Sequence, residues 1–379
     1  MRRRLFLVFL VVAIGVIWRP VIRPLGAGTI LVADIYSSAL WDRNVAAYVT
    51  PLPRVTGTRE TFVGMEMRVT WWRPGWGDRH PALMLVNGAT ALGNDDPETT
   101  RLAEALARAG YLVMLPEFPF IREGTLEPRA AAIIDAAFAR LLLLPESSGM
   151  PVGAFGFSVG GGMLLAAAGL DDAFARASYV GALGAYYDID TYLASVVTRT
   201  QMHAGAPAAW DPDPTVRLRL PLAAAGAVSD LHDRALLEDE LRANDGRTAT
   251  DPPLDIGTEA GSLWRAFRAT DYDLALARLR ELPPALRQVF DGLSPRMNWP
   301  AIRAPVFWLH DVGDRFEPVS EAEVAAATAH AGPTRFQRTA LISHAAALGT
   351  GAKEKGLDFW ASELSGLLLF AASALGAGV

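Results

Sequence analysis

Cysteine is absent from the 379-residue chain. Disulfide frameworks, thiolate nucleophiles, Cys-ligated zinc and iron–sulfur clusters are excluded with it. An oxidising compartment is compatible with that absence and is not required by it. Lysine is nearly absent too. Lys353 and Lys355 are the only two lysines, so arginine carries almost all the positive charge. Positive charge is itself in deficit. Lys+Arg is 35 against 41 Asp+Glu, a formal net charge of -6, which is the wrong sign for a general nucleic-acid binder. What is present is apolar. Hydrophobic residues make up 51% and charged residues 20%, enough to bury a full core and too much for global disorder. The length suggests two or three domains at roughly 150 residues each, or one large domain with insertions.

Long hydrophobic runs are scarce. Met1-Arg2-Arg3-Arg4 precedes an uncharged stretch over residues 5–18, ended by Arg19-Pro20. A basic start and a 14-residue apolar run have the form of a signal peptide. A full span needs about 20 apolar residues. Val21, Ile22 and Leu25 extend the run if Arg19 and Arg23 reach back to the interface. Three readings follow: an uncleaved anchor, a cleaved signal with Gly26-Ala27-Gly28 as the nearest small-residue cluster, or a buried helix. The anchor is preferred. Three arginines before the run against two after it favour the N-terminus inside. The main domain is then extracytoplasmic, or secreted after cleavage. The uncharged C-terminal stretch, residues 364–379, reads as a last helix packed on the core.

From about residue 59, strand and helix alternate. Residues 61–72 read as one or two strands and 82–86 as a short apolar strand ending in Asn87-Gly88. Asp96 caps a helix with Pro97 in its first turn, ending at Gly110. Residues 111–115, 152–157, 179–186, 306–309 and 335–342 read as strands. Residues 127–144, 159–170, 320–330 and 357 onward read as helices. Apolar strands alternating with helices imply a mostly parallel sheet covered on both faces. Residues 189–299 break this rhythm and read as short helices over 234–244, 257–269, 271–282 and 284–291. They form a helical cap inserted between two sheet strands, with Trp210, Trp264, Phe267 and Tyr272 as its core. The expected organisation is an N-terminal segment 1–25, a connecting segment 26–58, a core in two parts (59–188 and 300–379), and the cap.

The sharpest feature is Gly156-Phe157-Ser158-Val159-Gly160. It follows a predicted strand and leads into a helix, as a nucleophile elbow requires. The glycines leave room for the strained turn that exposes the serine, and the helix N-terminus aims N–H groups at developing negative charge. With such an elbow the chain order is Ser, acid, His. His80 precedes Ser158, and His203 and His232 fall in the insertion. His310 lacks a suitable acid-bearing strand before it, and His330 suits a helix C-terminus. His344 directly follows the last strand and is the base. Among the residues after strand 306–309, Asp314 is the acid that orients His344. Asp311 and Glu317 are runners-up, the first with a turn-supporting alternative and the second with a capping one near Pro318. Asp188 and Asp190 are a further alternative. Oxyanion donors are expected from the amides of Val159, after the nucleophile, and Ala89, on the loop after strand 82–86.

These residues resemble the α/β-hydrolase superfamily over about residues 60–375, and more closely its dienelactone-hydrolase-like bacterial serine hydrolases. The likeness rests on Asn87-Gly88-Ala89, Gly93-Asn94-Asp95-Asp96-Pro97, Leu106-Ala107-Arg108-Ala109-Gly110-Tyr111, Pro116, the Ser158 elbow, Leu293-Ser294-Pro295, and Ala304-Pro305-Val306 leading to His310, Gly313 and Asp314. It implies nucleophile, acid and base roles for Ser158, Asp314 and His344. Many relatives have His-Gly where this chain has Asn87-Gly88. Dienelactone hydrolases use a cysteine, so dienelactone as substrate does not carry over. The expectation is a membrane-anchored or exported serine hydrolase of small-molecule or lipid-like esters, with no cofactor, metal or nucleic-acid partner. The alternatives are acyl transfer by the same triad and a catalytically silent binding protein.

Overall fold

The computed structural model describes residues 23–41, 43–170, 172–203, 205–344, 348–349 and 352–377. The apolar run 5–18 lies outside them. In chain order the elements are helix α1 (Arg23–Trp41), strands β1 (Arg54–Phe62), β2 (Met65–Arg73) and β3 (Ala82–Val86), then α2 (Pro97–Arg108), β4 (Leu112–Pro116), α3 (Pro119–Glu123), α4 (Ala130–Leu142), β5 (Val152–Phe157), α5 (Ser158–Ala168) and β6 (Tyr179–Leu183). An insertion follows, with α6 (Ile189–Thr198), the hairpin β7 (Thr200–His203) and β8 (Ala206–Ala209), α7 (Pro214–Ala225), α8 (Leu231–Ala243), α9 (Thr258–Phe267), α10 (Tyr272–Arg280), α11 (Pro284–Leu293) and α12 (Pro295–Asn298). The chain then returns through β9 (Val306–Asp311), α13 (Val319–Ala327), β10 (Thr334–Thr339) and α14 (Leu357–Gly376).

The main sheet has the order β1-β2-β4-β3-β5-β6-β9-β10. β1, β2 and β4 pair antiparallel, and the pairs from β4 through β10 are parallel. Side chains alternate between faces, as a period of two requires. Met84 and Val86 of β3 and Trp308 of β9 join the core under α4 and α5. Leu83 and Leu85 of β3, with Phe307 and Leu309 of β9, face the layer of α1, α2 and α14. Aromatic pairs fill the first face: Phe138 stacks on Phe174 with centroids 4.2 Å apart.

The α2 start is as expected, with the Asp96 carboxylate accepting from the amides of Glu98 and Thr99. Trp210, Trp264, Phe267 and Tyr272 are buried together inside the insertion. Some expectations differ from the fold. Residues 26–58 do not simply connect: α1 fills most of the first half and packs on α14 and α2. At their crossing a Cβ on Gly28 would stand 3.1 Å from the Ala372 amide nitrogen, so a small residue lets the two backbones approach. β1 starts earlier than the pattern suggested because it is an exposed edge strand, buried only at Phe62. α7 forms despite Pro221, a helix breaker inside its own run. α14 is the one helix among the described residues long and apolar enough to cross a membrane. Here Leu367, Phe370 and Leu375 are buried in the layer over the sheet.

Candidate active site

Ser158 stands between β5 and α5 with φ of 52°, the left-handed region that side chains avoid. The flanking glycines explain how the chain tolerates it. A Cβ at Gly156 would meet the Gly161 Cα at 2.6 Å, and one at Gly160 would collide with the Asn87 carbonyl. The elbow is therefore pressed against the loop after β3. A Cβ at Gly88 would lie 3.1 Å from the Ser158 Cβ. The Asn87 side chain braces that loop, accepting from the Gly88 amide at 2.9 Å and the Thr99 hydroxyl at 2.9 Å and donating to the Gly93 carbonyl at 2.8 Å. Val159 and Ala89, the expected oxyanion donors, line one cavity together with Ser158 and His344.

The loop after β9 supplies the acids. Asp314 Oδ2 lies 2.9 Å from His344 Nδ1. Its other oxygen accepts from the amides of Phe316 and Glu317, at 2.7 and 3.1 Å, so the loop is wound around the carboxylate. Trp210 Nε1 donates to the Asp314 carbonyl at 2.8 Å, tying the insertion to the acid. Beneath the loop, fully buried His310 places Nε2 3.1 Å from the Glu317 carbonyl. A carbonyl only accepts, so that nitrogen bears the proton. Burial depresses the His310 pKa, keeping the ring neutral.

Asp311 supports the turn: its oxygens accept from the Gly313 amide at 2.9 Å and the His344 amide at 3.2 Å. His344 itself has φ of 48°, and Phe316 stacks on its ring at 4.6 Å.

Glu317 departs from its capping alternative. Pro318 stands at the N-cap of α13, and Glu317 turns inward instead, 1% exposed. It accepts the Ser158 hydroxyl at 2.7 Å through Oε1, while Oε2 lies 3.2 Å from His344 Nδ1. The serine hydroxyl therefore points at a carboxyl group in this state. Burial, helped by Asp314, pushes Glu317 up to about 8, with the facing His344 imidazolium working against that rise. Burial also works against a charged His344, but Asp314 and Glu317 outweigh it and hold the imidazolium up to about 9. Burial would raise Asp314 as well; the facing imidazole overrides it and keeps Asp314 below the ordinary aspartate value.

No protein-family model matches the chain, and no curated protein does. The 2,6-dihydroxy-pseudo-oxynicotine hydrolase superposes with a TM-score of 0.54 at 15% identity, over 94% of this chain and 82% of that one. An acylaminoacyl peptidase from Pyrococcus horikoshii gives 0.51 at 12% identity, over 91% of this chain and 44% of that one. A dienelactone hydrolase from Anabaena variabilis ATCC 29413 matches at 12% identity over 86% of this chain and 97% of that one, with a TM-score of 0.44. The chain has the α/β-hydrolase fold.

Within this α/β-hydrolase fold the structure gathers Ser158, Asp314 and His344, three sequence-predicted residues, at the C-terminal edge of the parallel strands. The earlier acid alternatives lie elsewhere. Asp188 caps α6 and pairs with Arg296 at 2.7 Å, and Asp190 pairs with Arg287 at 3.0 Å. Donor atoms of Asp314, Glu317 and His344 lie within 4.8 Å of one another, a spacing that would admit a cation. The same atoms are already joined in hydrogen bonds to each other and to Ser158, and the set contains a single imidazole and no second histidine. Sequence reasoning ranked Glu317 too low. Its signal was present: an acid three residues after the chosen one, on the same turn.

Proposed function

We propose that this chain is a serine hydrolase acting on carboxylic esters through Ser158, His344 and Asp314. The observation that carries the reading is the strained Ser158, one carboxyl group away from an imidazole that Asp314 holds by its Nδ1. In the reaction the serine hydroxyl turns from Glu317 to His344. Oγ attacks the ester carbonyl while the imidazole takes its proton, and the new C–O bond makes a tetrahedral oxyanion. The amides of Val159 and Ala89 stabilise that charge. Collapse breaks the bond to the leaving alkoxide, which takes the proton from His344, and leaves an acyl-serine. Water, deprotonated by His344, attacks the acyl-serine and returns the hydroxyl to Ser158. Asp314 stays ionised and holds the ring tautomer throughout. No step requires a cofactor or metal.

Support also comes from the matched structures, which are named as a hydrolase and a peptidase. In the same reading residues 189–299 act as a cap over the site. Residues 5–18 anchor the protein, with the catalytic domain extracytoplasmic, or direct its export. Fractionation with N-terminal sequencing distinguishes those two.

The decisive test is labelling with a fluorophosphonate, followed by peptide mapping. A single adduct on Ser158 is expected, together with ester hydrolysis that falls by roughly 10⁴-fold or more in Ser158→Ala. Folded protein that takes no adduct at Ser158 would reject the reading.

A further inference from the structure

The cavity at Ser158 holds about 430 Å³, within the range of small-molecule sites. Its path is unusual. One lobe lies under the insertion, with Thr215, Arg219 and Tyr192 in its wall. The other leaves the catalytic edge and runs beneath the sheet, between the strands and the α1/α14 pair. Its sheet wall includes Leu83, Leu85, Phe155 and Tyr179, and its helix wall Leu31, Ile35, Phe370 and Ala374. Leu83 and Tyr179 share the register of Gly153, five residues before Ser158. At about 3.3 Å per residue the lobe therefore reaches roughly 16 Å below the nucleophile.

The sequence builds this lobe deliberately in space. Gly153 and Gly181 carry no side chain where the rings of Tyr179 and Phe155 lie, and a Cβ at either would collide with them. The rings thus lie flat on the sheet and form a smooth floor. Across from them, the Gly28–Ala372 crossing draws α1 and α14 toward each other, and they close the lobe as a roof.

We infer that this lobe binds the acyl chain of a medium- or long-chain ester, the carbonyl resting at Ser158 and the alcohol portion lying under the insertion. The assignment rests on the serine hydrolase reading. It follows from the contrast between lobes. The lobe under the insertion offers an arginine and threonines to a polar alcohol portion. The lobe beneath the sheet has polar residues of the start of α2 (Glu98, Thr99, Arg101) at its mouth. Deeper in, apart from the Tyr36 and Tyr179 hydroxyls, it is walled by hydrocarbon and aromatic rings, contiguous with the nucleophile, and suits an unbranched chain. Each methylene buried there gains a fixed increment of transfer free energy, so kcat/KM rises roughly threefold to fourfold per methylene until the lobe is full.

The experiment uses the full chain and p-nitrophenyl esters from acetate to dodecanoate, kept below their aggregation limits. The expected result is a climb in kcat/KM with acyl length. Two substitutions, Ala374→Phe from α14 and Leu31→Trp from α1, fill the lobe from different helices. Either is expected to lower the dodecanoate-to-acetate ratio of kcat/KM by about tenfold or more. A second readout needs no variant: wild-type Ser158 should be labelled faster by a long-chain alkyl fluorophosphonate than by a short one. A flat acyl series with equal labelling rates would overturn the proposal. So would a series that climbs only when the alcohol is lengthened, or one that climbs identically in both filled variants. Failure of the underlying reading looks different: no hydrolysis of any ester and no adduct on Ser158.

Discussion

Glu317 and Glu321 are the same residue type, four positions apart, and both are almost fully buried, at 1% and 4% exposure. Burial raises both carboxyl groups, Glu317 to about 8 and Glu321 to about 7. Their surroundings separate them. Glu321 accepts the amides of Tyr187 and Asp188 at 2.9 and 3.0 Å and the Thr191 hydroxyl at 2.6 Å. Those donors belong to the segment where the chain leaves β6 for the insertion, so Glu321 fixes the root of the insertion to α13. Glu317 faces the Ser158 hydroxyl and the His344 ring, the two groups that exchange a proton in the proposed reaction. A perturbed carboxyl group thus marks either a fastening or a reactive site. Backbone amides as partners indicate the first, titratable or nucleophilic side chains the second.

Breaking the fastening should have the largest effect. Glu321→Ala leaves two buried amides and a hydroxyl without acceptors and should cost roughly 3–5 kcal/mol. Urea unfolding with an intact slope would measure it; a loss under about 1 kcal/mol would erase the contrast. Glu317→Gln should act on rate instead of stability near neutrality. His344 must be neutral to accept the serine proton, so kcat/KM should rise with pH toward the His344 value of about 9. The variant loses one of the two carboxylates favouring the imidazolium, so that rise should move to lower pH. An unmoved profile would mean Glu317 does not act on His344.

Stability gives a smaller effect with a defined sign. The native state holds a proton on Glu317 up to about 8, whereas the unfolded chain releases it near 4.5. Its burial therefore carries no added cost below about 4.5, and the wild type loses stability progressively as pH rises toward 8. Melting from pH 5 to 9 should show a steeper decline in the wild type than in Glu317→Gln. The smallest effect concerns Tyr179, a buried polar group with neither kind of partner. Its hydroxyl finds no hydrogen bond among the described residues. Tyr179→Phe should stabilise the protein by about 1 kcal/mol, and a clear destabilisation would reveal a partner for that hydroxyl.

Legibility in the sequence followed how local each cause was. Ser158 was readable because strand, glycines and helix surround it within one short segment. His344 was readable because chain order and a strand end constrain it. The acid was harder: Asp311, Asp314 and Glu317 share one turn, and which carboxyl group meets the imidazole depends on how backbone amides wind the loop around Asp314. Pro318 made Glu317 resemble a cap. α1 was obscured by Pro24, Gly26 and Gly28, residues that weaken an isolated helix, and its support comes from α14 at the far end of the chain. The lobe beneath the sheet has no sequence signature, because it arises from rings, glycines and helices that meet only in three dimensions.

That meeting has a consequence for biosynthesis. The roof over the lobe joins the first described helix to the last, Gly28 against Ala372. While the ribosome is still adding α14, α1 and α2 can already cover part of the underside of the sheet, but the part that α14 closes, with Phe307 against Phe370, stays open. A nascent chain of this design keeps that apolar surface uncovered until α14 has emerged, the condition under which holding factors and aggregation compete for a protein.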